Sequence, residues 1–284
     1  PDAYPKFIDT LLGSPRYGEH QARYWLDAVR YGDTHGLHLD NKRGIYPYRD
    51  WVVRALNRNQ PLDEFLTWQL AGDLLDKPTL PQLVATGFVR MNPTTAEGGA
   101  IPAEFQAKNN FDRVETLGTA LLGMSLTCAR CHTHKYDPIT QTEYYRLMAF
   151  FNNTAEPSMD GNKYEFGPTI KAPPNLESWT RWEALNAQKS RLAKLVAQDP
   201  AQKPKLEEVN QQMGTLQKSF TSTLIAKDLP KPRETRLLER GEYNLPTGDP
   251  LQPGVFTIMG AMPEDAPANR LGLAQWLTAR EHPL

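Results

Sequence analysis

Thr127-Cys128-Ala129-Arg130-Cys131-His132-Thr133-His134 holds both cysteines of the chain, three residues apart, with a histidine directly after the second. The order is C-x-x-C-H, the spacing at which c-type haem is attached. On a helical turn the two thiols reach the two vinyl groups along one porphyrin edge, and the next imidazole turns under the ring towards the iron. The stretch therefore predicts one covalent haem c per chain, attached through Cys128 and Cys131, with His132 as the proximal iron ligand. If both sulfurs become thioethers no disulfide is available, and cysteine pairing says nothing about the redox compartment. A competing reading is a structural or interaction module in which zinc is bound by Cys128, Cys131 and either His132 or His134. Adjacent Cys131 and His132 suit one tetrahedral ion poorly, and the chain has no second cysteine pair to complete such a site.

Outward from the motif, the upstream sequence is apolar at helical spacing. Phe111, Val114, Leu117, Leu121, Leu122 and Leu126 lead from Ala103 towards His132, predicting one long helix or two in succession with the motif at the carboxyl end. Met124 then falls on the proximal side of the iron. Downstream, Asp137-Pro138 breaks the helix and Thr140-x-x-Glu143 is a capping box. It opens a helix whose Tyr144, Leu147, Met148 and Phe151 are expected to cover part of the porphyrin.

The sixth iron position has His20, His35, His38, Met91, Met148 and Met159 as candidates. His35 and His38 belong to an irregular loop, from Tyr31 to Asn41, with two glycines and two aspartates and no helical or strand period. His35 is read there as a distal iron ligand or a catalytic group. Asp33 and Asp40 are read with it as a polar cluster for a substrate or a hard cation. The alternative is a turn whose Asp and Asn side chains cap backbone amides.

The remaining segments are mostly helical. Phe7, Ile8, Leu11 and Leu12 form a short apolar face that ends at Gly13. Ser14-Pro15 starts a helix with an aromatic stripe of Tyr17, Tyr24, Trp25 and Tyr31. Helices follow from Tyr48 to Asn59, from Pro61 to about Leu75 and from Leu83 to Phe88. Asn92 to Ala100 is a loop in which Glu97 stands beside two glycines. Beyond Asn153 a Pro/Gly-punctuated connection leads to two polar helices, Leu176 to Gln198 and Pro204 to Ala226, joined by Asp199-Pro200 as an antiparallel hairpin. The tail holds a strand-like Val255 to Met259 and a last helix from Asn269 to Ala279.

The whole predicts a mainly α protein: an irregular helical domain built around the C-x-x-C-H haem site, a helical hairpin and a small mixed C-terminal segment. The expected divisions are 1–162, 163–230 and 231–284. At 284 residues there is enough chain for a substantial core, and a net charge of −1 gives no electrostatic case for nucleic acid. No apolar run approaches the roughly 18 residues of a transmembrane segment. Because it opens on Pro1-Asp2-Ala3 and stops just past a helical pattern, the sequence is expected to be a processed or excised piece.

Several segments together resemble the planctomycete-type cytochrome c proteins, in which a cytochrome-like domain of unknown function precedes a second domain of unknown function. They are Phe7-Ile8-Asp9, Ser14-Pro15-Arg16-Tyr17-Gly18, Tyr48-Arg49-Asp50-Trp51-Val52, Gln69-Leu70-Ala71-Gly72-Asp73-Leu74, Glu97-Gly98-Gly99, Asp112-Arg113-Val114-Glu115-Thr116 and Cys128 through Pro138. Pro232-Arg233-Glu234-Thr235 and Asn269-Arg270-Leu271-Gly272-Leu273 resemble only the opening of the second domain. The resemblance implies an extracytoplasmic, periplasmic bacterial protein with covalent haem c. It further implies a redox role, by electron transfer or haem-assisted oxidation, linked to polysaccharide utilisation, with a redox partner protein or a carbohydrate as the counterpart.

Overall fold

Apolar residues at three- and four-residue spacing do produce a mainly helical chain. The computed structural model describes residues 2–37 and 39–283, so the candidate His38 lies outside the described residues. Helices α1 (Ala3–Leu12) and α2 (Arg16–Ala28) come first, followed by the irregular loop and α3 (Tyr46–Asn57). Next are α4 (Leu62–Ala71), α5 (Leu80–Ala85) and α6 (Pro102–Thr116). After the cysteine motif come α7 (Gln141–Ala149), β1 (Thr169–Ala172), α8 (Leu176–Val196) and α9 (Lys203–Gln217). The chain closes with β2 (Thr221–Leu224), β3 (Leu237–Leu238), β4 (Pro246–Thr247) and α10 (Arg270–Leu277).

Three elements differ from the sequence reading. The long helix towards the motif ends early: α6 passes into a π-helical turn at Leu117–Leu121, and Gly123 at φ 62 turns the chain away. Met124 is thus not on a helix shared with His132. The second hairpin helix stops at Gln217 because Thr221–Leu224 is extended and pairs antiparallel with Thr169–Ala172. Three of those four residues are threonine or serine, and β-sheet pairing outweighs their weak helical preference. The stretch expected to be strand-like near Val255 instead forms a short 3-10 turn, Thr257–Met259, with Val255 and Phe256 buried.

One buried apolar cluster runs through most of the chain. It joins Trp51, Phe65, Phe111, Val114 and Tyr144 to Leu238, Phe256, Leu273 and Trp276, so residues after 231 pack into the same core as those before 162. The α8–α9 hairpin has its own small apolar contact among Leu185, Leu192, Val209 and Met213. Helix α1 contributes no buried residue: Phe7, Leu11 and Leu12 face outward.

Buried arginines replace apolar packing where the chain is irregular. Arg43 donates to the carbonyls of Gly32, Met91 and Asn92, which ties the loop before α3 to the segment after α5. Arg90 donates to the carbonyls of Phe166, Pro168 and Ile225, which secures both sides of the small β1–β2 sheet. Such bonds satisfy carbonyls that no regular ladder would reach. Burial pushes both arginine pKa values down to about 10.

Candidate functional site

The cysteine motif begins on a 3-10 turn, Thr127–Arg130, in which Ala129 is buried and Cys128 is exposed, and Cys131 caps its end. Leu126 and Ala129, three apart, are fully buried and anchor the turn on α6 and α7. Upstream, a Cβ on Gly118 would lie 2.6 Å from Leu126 Cγ, so glycine lets the turn sit close to the π-helical segment. Cys128 is exposed and Cys131 partly exposed, and the two thiols are not joined. The amides of Cys131 and His132 both donate to the Cys128 carbonyl, at 3.2 and 3.3 Å, which closes the turn and brings His132 beside the cysteines.

His132 is exposed, and its Nδ1 lies 2.8 Å from the Thr133 carbonyl oxygen. A carbonyl can only accept, so Nδ1 carries the proton and Nε2 keeps its lone pair. That is the tautomer a metal-binding imidazole adopts, with the far nitrogen tethered to a carbonyl. His134 is turned into the following loop instead. Its Nδ1 accepts from the Asp137 amide at 2.9 Å and its own amide donates to the Ile139 carbonyl at 2.9 Å. The capping box forms as predicted: Thr140 accepts from the Glu143 amide at 3.1 Å, and Glu143 accepts from the Thr140 amide at 2.9 Å.

Behind the turn lies a polar layer that the sequence reading missed. The Arg130 guanidinium stands over the Phe111 ring, 5.0 Å from its centroid, and 3.7 Å from Glu115. The same side chain also lies beside Cys131, and the sulfur favours its charge. Burial works against the Arg130 charge, but the Cys131 and Glu115 contacts outweigh it and hold the pKa above the ordinary value. Burial raises the Glu115 pKa despite the nearby Arg130. Burial likewise lifts the Tyr144 and Tyr145 hydroxyls, helped for Tyr144 by the Glu115 charge. Tyr144 was legible only as core, Tyr145 was not singled out, and Arg130 was an unassigned residue inside the motif.

The loop before α3 is built differently from the expected distal site. His35 is buried with both ring nitrogens engaged. Nδ1 lies 2.7 Å from the Thr94 hydroxyl and 3.2 Å from Asp160, and Nε2 donates to the Lys163 carbonyl at 3.0 Å. In this arrangement His35 has no nitrogen left over for iron, and it joins three chain segments. Asp40 accepts from the Gly36 amide at 2.8 Å. Bonds from Thr34 and Gly36 keep its pKa below the ordinary carboxylate value. Asp33 faces Tyr31 and Arg49. The two aspartates therefore engage different partners and share no contact. Glu97 is exposed, while Met91 and Met148 are in the core.

Among the described residues no three His, Cys, Asp or Glu side chains are gathered in a geometry that could hold a metal ion. A tetrahedral zinc site built from Cys128, Cys131 and His132 or His134 would thus need rearrangement. What the turn does offer is an exposed Cys128, a partly exposed Cys131 and an exposed His132 within five residues, residue types that suit attachment of a planar group through its edge.

These features define the chain as a mainly helical protein that carries an exposed C-x-x-C-H turn on its surface. Residues 1–156 match the PSCyt2 family model, described as a protein of unknown function (DUF1549). The match spans more than half of the chain and includes the turn, so the protein belongs to this family, a planctomycete cytochrome-like domain of unknown function. No curated protein and no solved structure matches the chain. Among the described residues no helix is long and apolar enough to cross a membrane.

Proposed function

We propose that the protein carries one covalent haem c and serves an extracytoplasmic redox reaction linked to polysaccharide utilisation, with either a redox partner protein or a carbohydrate as its counterpart. Cys128 and Cys131 would hold the porphyrin edge and His132 Nε2 would ligate the iron. The observation that carries this reading is the His132 imidazole, whose Nδ1 is tied to the Thr133 carbonyl beside two unjoined thiols on the same turn. The bound group would supply one-electron chemistry.

The chain's own residues would do the rest. Leu126 and Ala129 fix the turn on the core, and the Thr133 carbonyl fixes the imidazole tautomer. Arg130 brings a positive charge next to Cys131, and Phe111 and Glu115 hold that charge in place. A fixed cation disfavours the oxidised, more positive state of a nearby centre, so Arg130 would raise its reduction potential. His35 is assigned here to folding, because its ring nitrogens are both used.

The test is an absorption spectrum of purified protein produced with haem-attachment machinery. A Soret band with sharp reduced α and β bands that survive acid-acetone extraction supports the reading. A colourless sample containing stoichiometric zinc refutes it and supports the metal alternative. Replacing His132→Ala should leave attachment at the cysteines and abolish the axial nitrogen signature, and Cys128→Ala/Cys131→Ala should release the haem on extraction.

A further inference from the structure

The turn at Glu239–Gly241, between β3 and β4, reaches back over the cysteine motif from about a hundred residues downstream, outside the matched region 1–156. Arg240 at φ 52 and Gly241 at φ 76 are both left-handed, and this brings the Gly241 backbone against the motif. A Cβ built on Gly241 would lie 3.1 Å from Cys131 Sγ and 3.1 Å from Arg130 Cγ. Only glycine meets both the backbone conformation and the approach.

Two side chains of α7 lock this contact. Gln141 Nε2 donates to the Arg130 carbonyl at 3.0 Å and lies 3.3 Å from the Leu238 carbonyl. The Tyr145 hydroxyl lies 2.9 Å from the Arg130 carbonyl and 3.5 Å from that of Leu238. The same two donors thus face one carbonyl of the motif and one of the downstream hairpin. Among the described residues no comparable contact covers Cys128, which is exposed.

We propose that the β3–β4 hairpin is a wall of the C-x-x-C-H site, and that Gln141, Tyr145 and Gly241 are positioning residues that make its two thiols unequal, with Cys131 held and Cys128 open. A group bonded through both sulfurs is then oriented by Cys131 and completed by Cys128. The inequality is a property of the chain itself, while its use in orienting a haem rests on the function proposed above.

The test uses the full chain, reduced and free of cofactor, and a polymer-linked maleimide bulky enough that access limits the rate. Peptide mass spectrometry follows the two cysteines separately. Cys128 is expected to react about tenfold faster than Cys131 in the native protein, with the difference lost in denaturant. Gly241→Val pushes the hairpin off, and Gln141→Ala/Tyr145→Phe removes its tethers. Each is expected to speed Cys131 by about threefold or more and leave Cys128 unchanged. Far-UV circular dichroism checks that each variant is folded, and the double variant decides if Gly241→Val is not. Equal native rates overturn the proposal. So does a folded double variant in which Cys131 is not accelerated or both cysteines are accelerated alike. Absence of haem from the wild-type protein would remove the haem reading and leave this result standing, so the two failures are separable.

Discussion

Replacing Arg270→Met removes the cation from a buried cluster that fastens the C-terminal helix to the N-terminal half. The Arg270 side chain is 0% exposed, against 7% for Asp73 and 12% for Asp228. Its guanidinium binds both oxygens of Asp73, at 2.9 and 2.7 Å, one oxygen of Asp228 at 2.8 and 3.1 Å, and the Leu70 carbonyl at 2.7 Å. Burial opposes the Arg270 charge, yet the two carboxylates outweigh it and hold the pKa above its ordinary value. Methionine preserves much of the volume and none of the charge, so two carboxylates are left facing each other away from water. Breaking such a pair from one side costs about 3–5 kcal/mol. At roughly 2–4 °C per kcal/mol for a chain of this size, the melting temperature should fall by about 6–20 °C. Urea denaturation followed by circular dichroism measures the loss. Arg270→Met/Asp73→Asn/Asp228→Asn removes all the charges together and should recover at least half of it. A loss below about 1 kcal/mol in the single variant, or no recovery in the triple one, refutes the reasoning.

Two further outcomes follow from the buried polar groups. Glu156 accepts from Arg113 and Thr154; burial alone would raise its pKa, but the Arg113 and Arg90 charges dominate and hold it below the ordinary 4.5. A depressed folded pKa stabilises the protein above about pH 4.5, and that contribution is lost as pH falls through the folded value. Urea midpoints measured from about pH 6 down to about pH 3 should therefore decline in wild type and flatten in Glu156→Gln. His35→Ala strips partners from Asp160, Thr94 and the Lys163 carbonyl, and should cost about 1–3 kcal/mol. With the proposed haem bound, the spectrum of the variant should match that of the wild type; a shifted axial-ligand signature would instead restore His35 to the iron.

The contrast between the two histidine-bearing stretches shows where sequence reading ran out. Cys128, Cys131 and His132 are neighbours along the chain, so their juxtaposition could be read directly. His35 looked free because the groups that occupy it, Thr94, Asp160 and Lys163, come from two other loops. Asp33 and Asp40 looked like a pair because seven residues of irregular loop leave their directions open, and the backbone turned them to different partners. The apolar spacing from Phe111 to Leu126 gave no sign of the turn at Gly123, whose φ of 62 ends the α6 run before the motif.

By itself the sequence determined what repeats or closes locally: the helical periods of α2 to α9, the Thr140–Glu143 capping box, and the C-x-x-C-H spacing. Each depends on residues within one or two turns of each other, where covalent geometry leaves few alternatives. The tertiary structure alone decided that Gly241 would rest against Cys131, that Arg270 would join α10 to Asp73, and that His35 would be enclosed. Those contacts span tens to hundreds of residues. They follow from which buried groups find partners once the core has closed, a choice that no local pattern encodes.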